Sequence, residues 1–476
     1  MQERFPADNR SCMTDQIDKS KTRRVEATSS SAAAARDLTQ GDVAAHLTRL
    51  TGFMMLSMMS FMVASLVETL YIGWVGTYEL AAISFTFPLI FTLQGVSMGL
   101  GIGASSVVAR SVGLGDHARV RRVVTHVIVL GTTISILMAF GTSFFLRDIF
   151  SLLGAEGVVL DLVVEYMWIW LIGLPVFTMT FVGTTLMRAT GDAKTPGYLS
   201  ALGSILHMAI APFCIFGYGL VPAMSLEGAA ISFVVARQLA FILFIYCFIF
   251  RDRMMGISMT GFFESCRDIL HVGLPAVASN MIMPFGMSVV TRLLAGHGAI
   301  VVAGYGVASR VESLLVMVIW AVGMSIAPLV GQNWGASAHD RIRTAMRLGG
   351  IFVMVWGVLC YVTFLVLGRE MIGLINDDPE VIDMAYAYLV IGTLAVGFMG
   401  LMNIATNSFN ALGKPMPPLI LSALQMIVLN IPIILIGDHF WGYRGIYAGG
   451  VLTSVVLSVV AWIWLKRTLK EGARQF

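Results

Sequence analysis

LTGFMMLSMMSFMVASLVETLYIGWVG, residues 50–76, decides the fold class. The stretch is apolar and long enough to cross a bilayer, which takes roughly 20 apolar residues as a helix. It carries one acidic side chain, Glu68, about two turns before its far end. A charge at the centre of a membrane helix costs roughly 2.5–3.5 kcal/mol on insertion scales, so an acid there marks function by default.

The same apolar pattern recurs along the chain, broken by short polar segments, at about 49–75, 79–108, 119–146, 158–188, 195–217, 227–250, 269–296, 299–330, 344–368, 380–410, 416–437 and 444–466. This predicts an all-α integral membrane protein with twelve transmembrane helices. Composition agrees: 12% of residues are charged, against roughly 25% in soluble domains. A net charge of +3 gives no footing for nucleic acid; the expected surroundings are the lipid bilayer. The cysteines (Cys12, Cys214, Cys247, Cys266 and Cys360) are scattered, so neither a disulfide framework nor a thiolate metal site is expected.

Lysine and arginine fix an orientation. One set of breaks holds Arg110, Arg119, Arg121, Arg122, Arg188, Lys194, Arg251, Arg253, Arg267, Arg341, Arg343, Arg347 and Lys414, and the C-terminus adds Lys466, Arg467, Lys470 and Arg474 to the same side. The alternate breaks hold Arg147, Arg369 and Arg444. The positive-inside bias therefore places both termini in the cytoplasm of a multi-pass plasma (inner) membrane protein. Residues 1–48 mix both charges with a Ser/Ala run and lack apolar periodicity, which reads as a disordered cytoplasmic tail. An N-terminal six-helix lobe (49–251), a cytoplasmic linker (252–267), a C-terminal six-helix lobe (268–467) and a short tail (468–476) follow.

The lobes repeat at an offset of 222 residues. Gly76 pairs with Gly298, Gly101 with Gly323, Gly113 with Gly335, Gly191 with Gly413 and Pro196 with Pro418. An even number of spans per half makes the repeat parallel. The two lobes are then related by a pseudo-twofold axis along the membrane normal, with a central cavity between them.

VETLYIGWVG (67–76), LAAISF (80–85), ARSVGLGD (109–116), MRATGDAKTP (187–196), LEGAA (226–230), HVGLPA (271–276) and GQNWGAS (331–337) resemble the signature stretches of the multidrug and toxic compound extrusion (MATE) family. The resemblance covers roughly residues 48–467. It implies two six-helix lobes around a V-shaped cavity and export of organic, often cationic, compounds in exchange for protons or sodium ions. It also implies a cation-coupling role for Glu68, where the family commonly has aspartate. Several family features are replaced. Met54 stands for a helix-bending proline, and His207 and Ala211 stand for an asparagine and an aspartate. Met283 and Leu401 occupy regions where one branch of the family carries acids. A lone carboxylate with few oxygen neighbours is a poor sodium cage.

Independently of the resemblance, desolvation disfavours the charged form of a carboxyl group, so Glu68 is expected to exchange a proton. Ser57, Phe61, Ser65 and Tyr71 share its helical face and are candidate cavity-lining residues. His207, in the fifth span, titrates in the range needed to share that proton. Asn280, Met283, Asn403 and Asn407 are the candidates in the opposite lobe; for the asparagines, interhelical amide bonds are the alternative. Arg237, Arg292 and Arg310 read as structural, with Arg310 and Glu312 as an ion pair. Gly99, Gly101 and Gly103 read as helix packing and not as a nucleotide loop, because no strand precedes them.

No catalytic motif supports an enzyme, and no cofactor is expected beyond a coupling proton or Na+. The expected function is a monomeric, proton-coupled exporter of small organic compounds working by rocking of its lobes. The alternatives are a sodium-coupled drug exporter and a lipid-linked saccharide flippase of the same superfamily.

Overall fold

The computed structural model describes residues 37–475 apart from 219–221, 252–254 and 257. Twelve helices within that range are long and apolar enough to span a membrane: α1 (Val43–Val75), α2 (Thr77–Gly113), α3 (His117–Phe144), α4 (Gly157–Ala189), α5 (Lys194–Phe216), α6 (Ser225–Ile249), α7 (Phe262–Ala295), α8 (Ala299–Gly335), α9 (His339–Gly373), α10 (Pro379–Ala411), α11 (Met416–Trp441) and α12 (Tyr443–Gly472). Helices are the natural solution because lipid offers no partners to free backbone groups. Side chains close several ends: Asp42 accepts from the backbone of Ala45 at 3.0 Å and Asp116 from that of Arg119 at 2.9 Å.

The repeat is written into the helix bounds. Displacing α2 by 222 residues gives both ends of α8, and displacing α4 gives both ends of α10. Gly191 and Gly413, repeat partners just past α4 and α10, both adopt positive φ (86° and 75°), a conformation that glycine reaches without the clash a side chain would cause.

Three expected boundaries move. The 1–48 tail is shorter within the described residues, because α1 starts at Val43 and Leu38 is fully buried. Residues 262–267, expected in the linker, begin α7. Residues 468–475, expected as a tail, continue the last helix, which runs Tyr443–Gln475. The first shift has a clear cause. Leu38 packs with Leu50, Ala193, Leu329 and Ala345 from both lobes, partners that no local periodicity announces.

The lobes meet on the side that carries most of the arginines and lysines, here called the basic face. There α1 packs on α8 and, as its repeat counterpart, α7 packs on α2, while α2 and α8 cross near the axis. Gly113 and Gly335, repeat partners, sit at that crossing. A methyl group on Gly113 would collide with the Gln332 carbonyl, and one on Gly335 with the Arg110 carbonyl. Gly99 and Gly103 likewise let α2 approach Gly273 and Ile269 of α7 backbone to backbone, the small-xxx-small packing of membrane helices. Among the described residues, every inter-lobe hydrogen bond and ion pair lies near the basic face, including Ser106 to the Asn410 carbonyl (2.5 Å), Arg119 to Asp268 (3.1 Å) and Gln332 to the Ala189 carbonyl (2.8 Å). These contacts close the molecule at the basic face.

Gly103→Leu is expected to destabilise the protein by about 1–3 kcal/mol through overpacking. It should lower the thermal midpoint, whereas Gly52→Ala, with nothing within 4 Å of the added carbon, leaves it unchanged or raises it.

Candidate functional site

Glu68 lies on α1, roughly 10 Å along the helix from Val75. Its Oε1 is 3.8 Å from His207 Nε2 on α5, and the two side chains are 13% and 7% exposed. That distance is too long for a hydrogen bond. Both atoms are buried without any hydrogen-bond partner. Two unsatisfied groups facing each other this closely can share a proton or a small guest, whereas a purely architectural pair would be closed up.

Four further groups complete this pocket of the N-terminal lobe. Tyr166 on α4 is 3% exposed and lies near enough to Glu68 to feel its charge. Phe233 on α6 meets the His207 ring edge-on at 5.5 Å. Arg237, one turn further along α6, places its guanidinium 5.2 Å from the Phe233 ring centre, 5.6 Å from Phe61 and 5.9 Å from Phe177. It is a charged neighbour of Glu68 without forming an ion pair with it. Sequence reasoning set Arg237 aside as structural and missed Tyr166, Phe177 and Phe233. The Phe233–Arg237 spacing of four residues, which puts both on one helical face, was the available signal.

The remaining candidates separate. Phe61 lines the pocket beneath Arg237. Ser57 Oγ donates to the Phe53 carbonyl at 3.1 Å, and the Ser65 carbonyl accepts from Thr69 at 2.9 Å. Tyr71 packs on the aromatic cluster near the end of α1, with Phe216 edge-on at 6.1 Å. In the other lobe Asn280 leaves its buried Nδ2 unpartnered. Asn407 donates to Asn403 (2.9 Å to the carbonyl, 3.2 Å to Oδ1), and Asn403 rests on Gly323 of α8. The Asn403–Asn407 pair is thus within α10 and not between helices. The side chain of Met283 lies outside the described residues. No group of three or more His, Cys, Asp or Glu side chains among the described residues forms a metal-binding cluster.

The expected Arg310–Glu312 ion pair does not form. Residues two apart point to different sides of a helix, and Glu312 instead accepts from the Tyr388 hydroxyl of α10 at 2.5 Å. Tyr305 and Tyr447 stand edge-on to Tyr388 at 5.1 and 4.9 Å. Tyr388→Phe should therefore cost about 1–3 kcal/mol by orphaning the Glu312 carboxyl, read as a lower thermal midpoint. Arg310→Ala should leave the midpoint in place.

Comparison with known proteins agrees with this architecture. The MatE family model matches residues 54–213 and 275–436, one block per lobe. An FAD transporter of Shewanella oneidensis is 30% identical over 87% of this chain and 92% of its own. The multidrug export protein MepA of Staphylococcus saprophyticus is 23% identical over 86% and 90%. Among solved structures, the MATE transporter VcmN of Vibrio cholerae in its bent form superposes with a TM-score of 0.87 at 27% identity, covering 91% of this chain and 98% of that one. With both repeats matched and the twelve-helix architecture shared, the chain belongs to the MATE family of multi-pass membrane transporters.

Proposed function

We propose that the protein is a secondary active exporter of the plasma membrane that moves organic compounds out of the cell in exchange for protons, with Glu68 as the exchanging group. The observation that carries this reading is the Glu68–His207 pair, an intramembrane acid and base 3.8 Å apart with no hydrogen-bond partner for either facing atom. With the basic face in the cytoplasm, as the positive-inside bias requires, closure on that face makes the conformation outward-facing. Glu68, 13% exposed, then takes its proton from the outer side. Rocking of the lobes would expose the same group to the cytoplasm for release. A proton moving down about 150 mV contributes about 3.5 kcal/mol per cycle. Relatives named for multidrug export and for FAD transport support export of organic compounds as the task. Sodium coupling is disfavoured because Glu68 faces a histidine and a guanidinium, whereas sodium needs several oxygen ligands.

The test is transport in proteoliposomes under an imposed pH gradient or an imposed sodium gradient. Proton exchange requires movement that follows the pH gradient and collapses with a protonophore. Movement that follows sodium alone would refute it.

A further inference from the structure

Arg237 is the charge that proton exchange leaves unexplained. It sits on α6 roughly 18 Å along the helix from Ser225, at a depth where an unpaired guanidinium is costly. Among the described residues it has neither a hydrogen bond nor an ion pair; its contacts are the faces of Phe61, Phe177 and Phe233. Arg237 is only partly buried, whereas Glu68 Oε1 and His207 Nε2 are sealed and unpartnered, so a guest has access to the guanidinium. Phe61 is 44% exposed while lying on the side of α1 that faces Arg237. Part of the Phe61 side chain is therefore open beside the guanidinium.

A cation set among phenyl faces with its donor fork unused is built for a partner that is flat at one end and anionic at the other. The rings stack on a planar aromatic system, and the guanidinium takes a phosphate through two parallel hydrogen bonds. We propose that this pocket binds a planar heteroaromatic compound carrying phosphate, the chemistry of a flavin nucleotide, with Arg237 as the anion-binding group and Phe61 as the stacking shelf. The 30% identical relative from Shewanella oneidensis is an FAD transporter, which agrees in substrate chemistry. The proposal names a substrate class for the exporter described above and depends on it only for the direction of movement. Exchange of proton for substrate then rests on the rocking of the lobes, because an anion and a proton do not compete for Glu68.

The test is equilibrium binding to the purified full-length protein in nanodiscs, read from flavin fluorescence. FAD and FMN are the anionic probes, riboflavin is the uncharged ring and ethidium is a planar cation. FAD and FMN should bind at least tenfold more tightly than riboflavin. Arg237→Gln should weaken FAD and FMN at least tenfold and leave riboflavin within about twofold, while Arg237→Lys, which keeps the charge, restores much of the loss. Phe61→Ala should weaken all three flavins several-fold. Equal FAD affinity in the native and Arg237→Gln proteins would overturn the proposal. So would ethidium binding with no flavin nucleotide binding, or failure of Arg237→Lys to bind better than Arg237→Gln. Binding needs no ion gradient, so loss of proton coupling and loss of nucleotide recognition are separate results.

Discussion

Glu68→Gln is expected to reduce transport driven by a pH gradient at least tenfold while leaving the protein folded and inserted. The amide keeps the size and one oxygen of the carboxyl but cannot exchange a proton. Glu68 Oε1 and His207 Nε2 have no hydrogen-bond partner, so the substitution breaks no bond and removes the need to hold a carboxylate out of water. The thermal midpoint should therefore stay level or rise as activity falls, a combination that general damage does not produce. Glu68→Asp, which retains the acid on a shorter arm, should keep a measurable fraction of the rate. His207→Ala should slow transport several-fold. If the two residues act as one unit, the double variant is no slower than Glu68→Gln, since coupled groups are not additive. Native transport rates in Glu68→Gln would remove the residue from the mechanism.

The spans, the two lobes and the repeat were legible because each rests on a pattern confined to a short window. Hydropathy marks a span within about 20 residues, and a constant offset survives drift at individual positions. Glu68 was legible for the same reason, as one acid in an apolar run. Pairings across the fold were not. The partner of Glu312 is Tyr388, two spans away, while the nearer Arg310 points elsewhere. Arg237 carries opposite meanings depending on what surrounds it, and only the placing of α1, α4 and α6 around one point reveals the three phenyl faces. Residues 37–42, the described part of the segment before α1, were misread because their contacts come from other parts of the chain. A polar composition describes what a short segment can bury by itself, not what it packs against.

That segment leads to the second large effect, on the equilibrium between closed and open basic faces. Residues 38–41 belong to the N-terminal lobe by connection but are fastened to the C-terminal lobe. Leu38 N–H donates to Gln332 Oε1 at 3.1 Å, and the Leu38 carbonyl accepts from Asn333 Nδ2 at 3.0 Å. Arg341 donates to the carbonyls of Gly41 (2.7 Å), Leu38 (3.0 Å) and Gln40 (3.0 Å), and also to Asn333 Oδ1 at 3.0 Å. Gln332 completes the bridge by donating to the Ala189 carbonyl at the end of α4. Gln332 and Asn333 are fully buried, so their own bonds to Leu38 and Ala189 are screened from water, whereas the Arg341 bonds to Gly41 and Gln40 lie at the surface. An inward-facing state must part α1 from α8 and hence either break this strap or peel it away. Removing one partner of a buried hydrogen bond costs about 1–3 kcal/mol, and about 2.8 kcal/mol is a hundredfold change in a two-state ratio. Arg341→Ala combined with Gln332→Leu is therefore expected to shift the population strongly toward the open basic face. Spin labels at positions 117 and 340, both exposed and on opposite lobes, would report it as a longer distance population by pulsed electron resonance in a cysteine-free background. Deleting residues 1–41 should shift the same distance in the same direction, because it removes the strap and leaves its anchor intact. A distance distribution unchanged in both variants would mean that the strap only decorates a face closed by the glycine contacts of α2, α7 and α8.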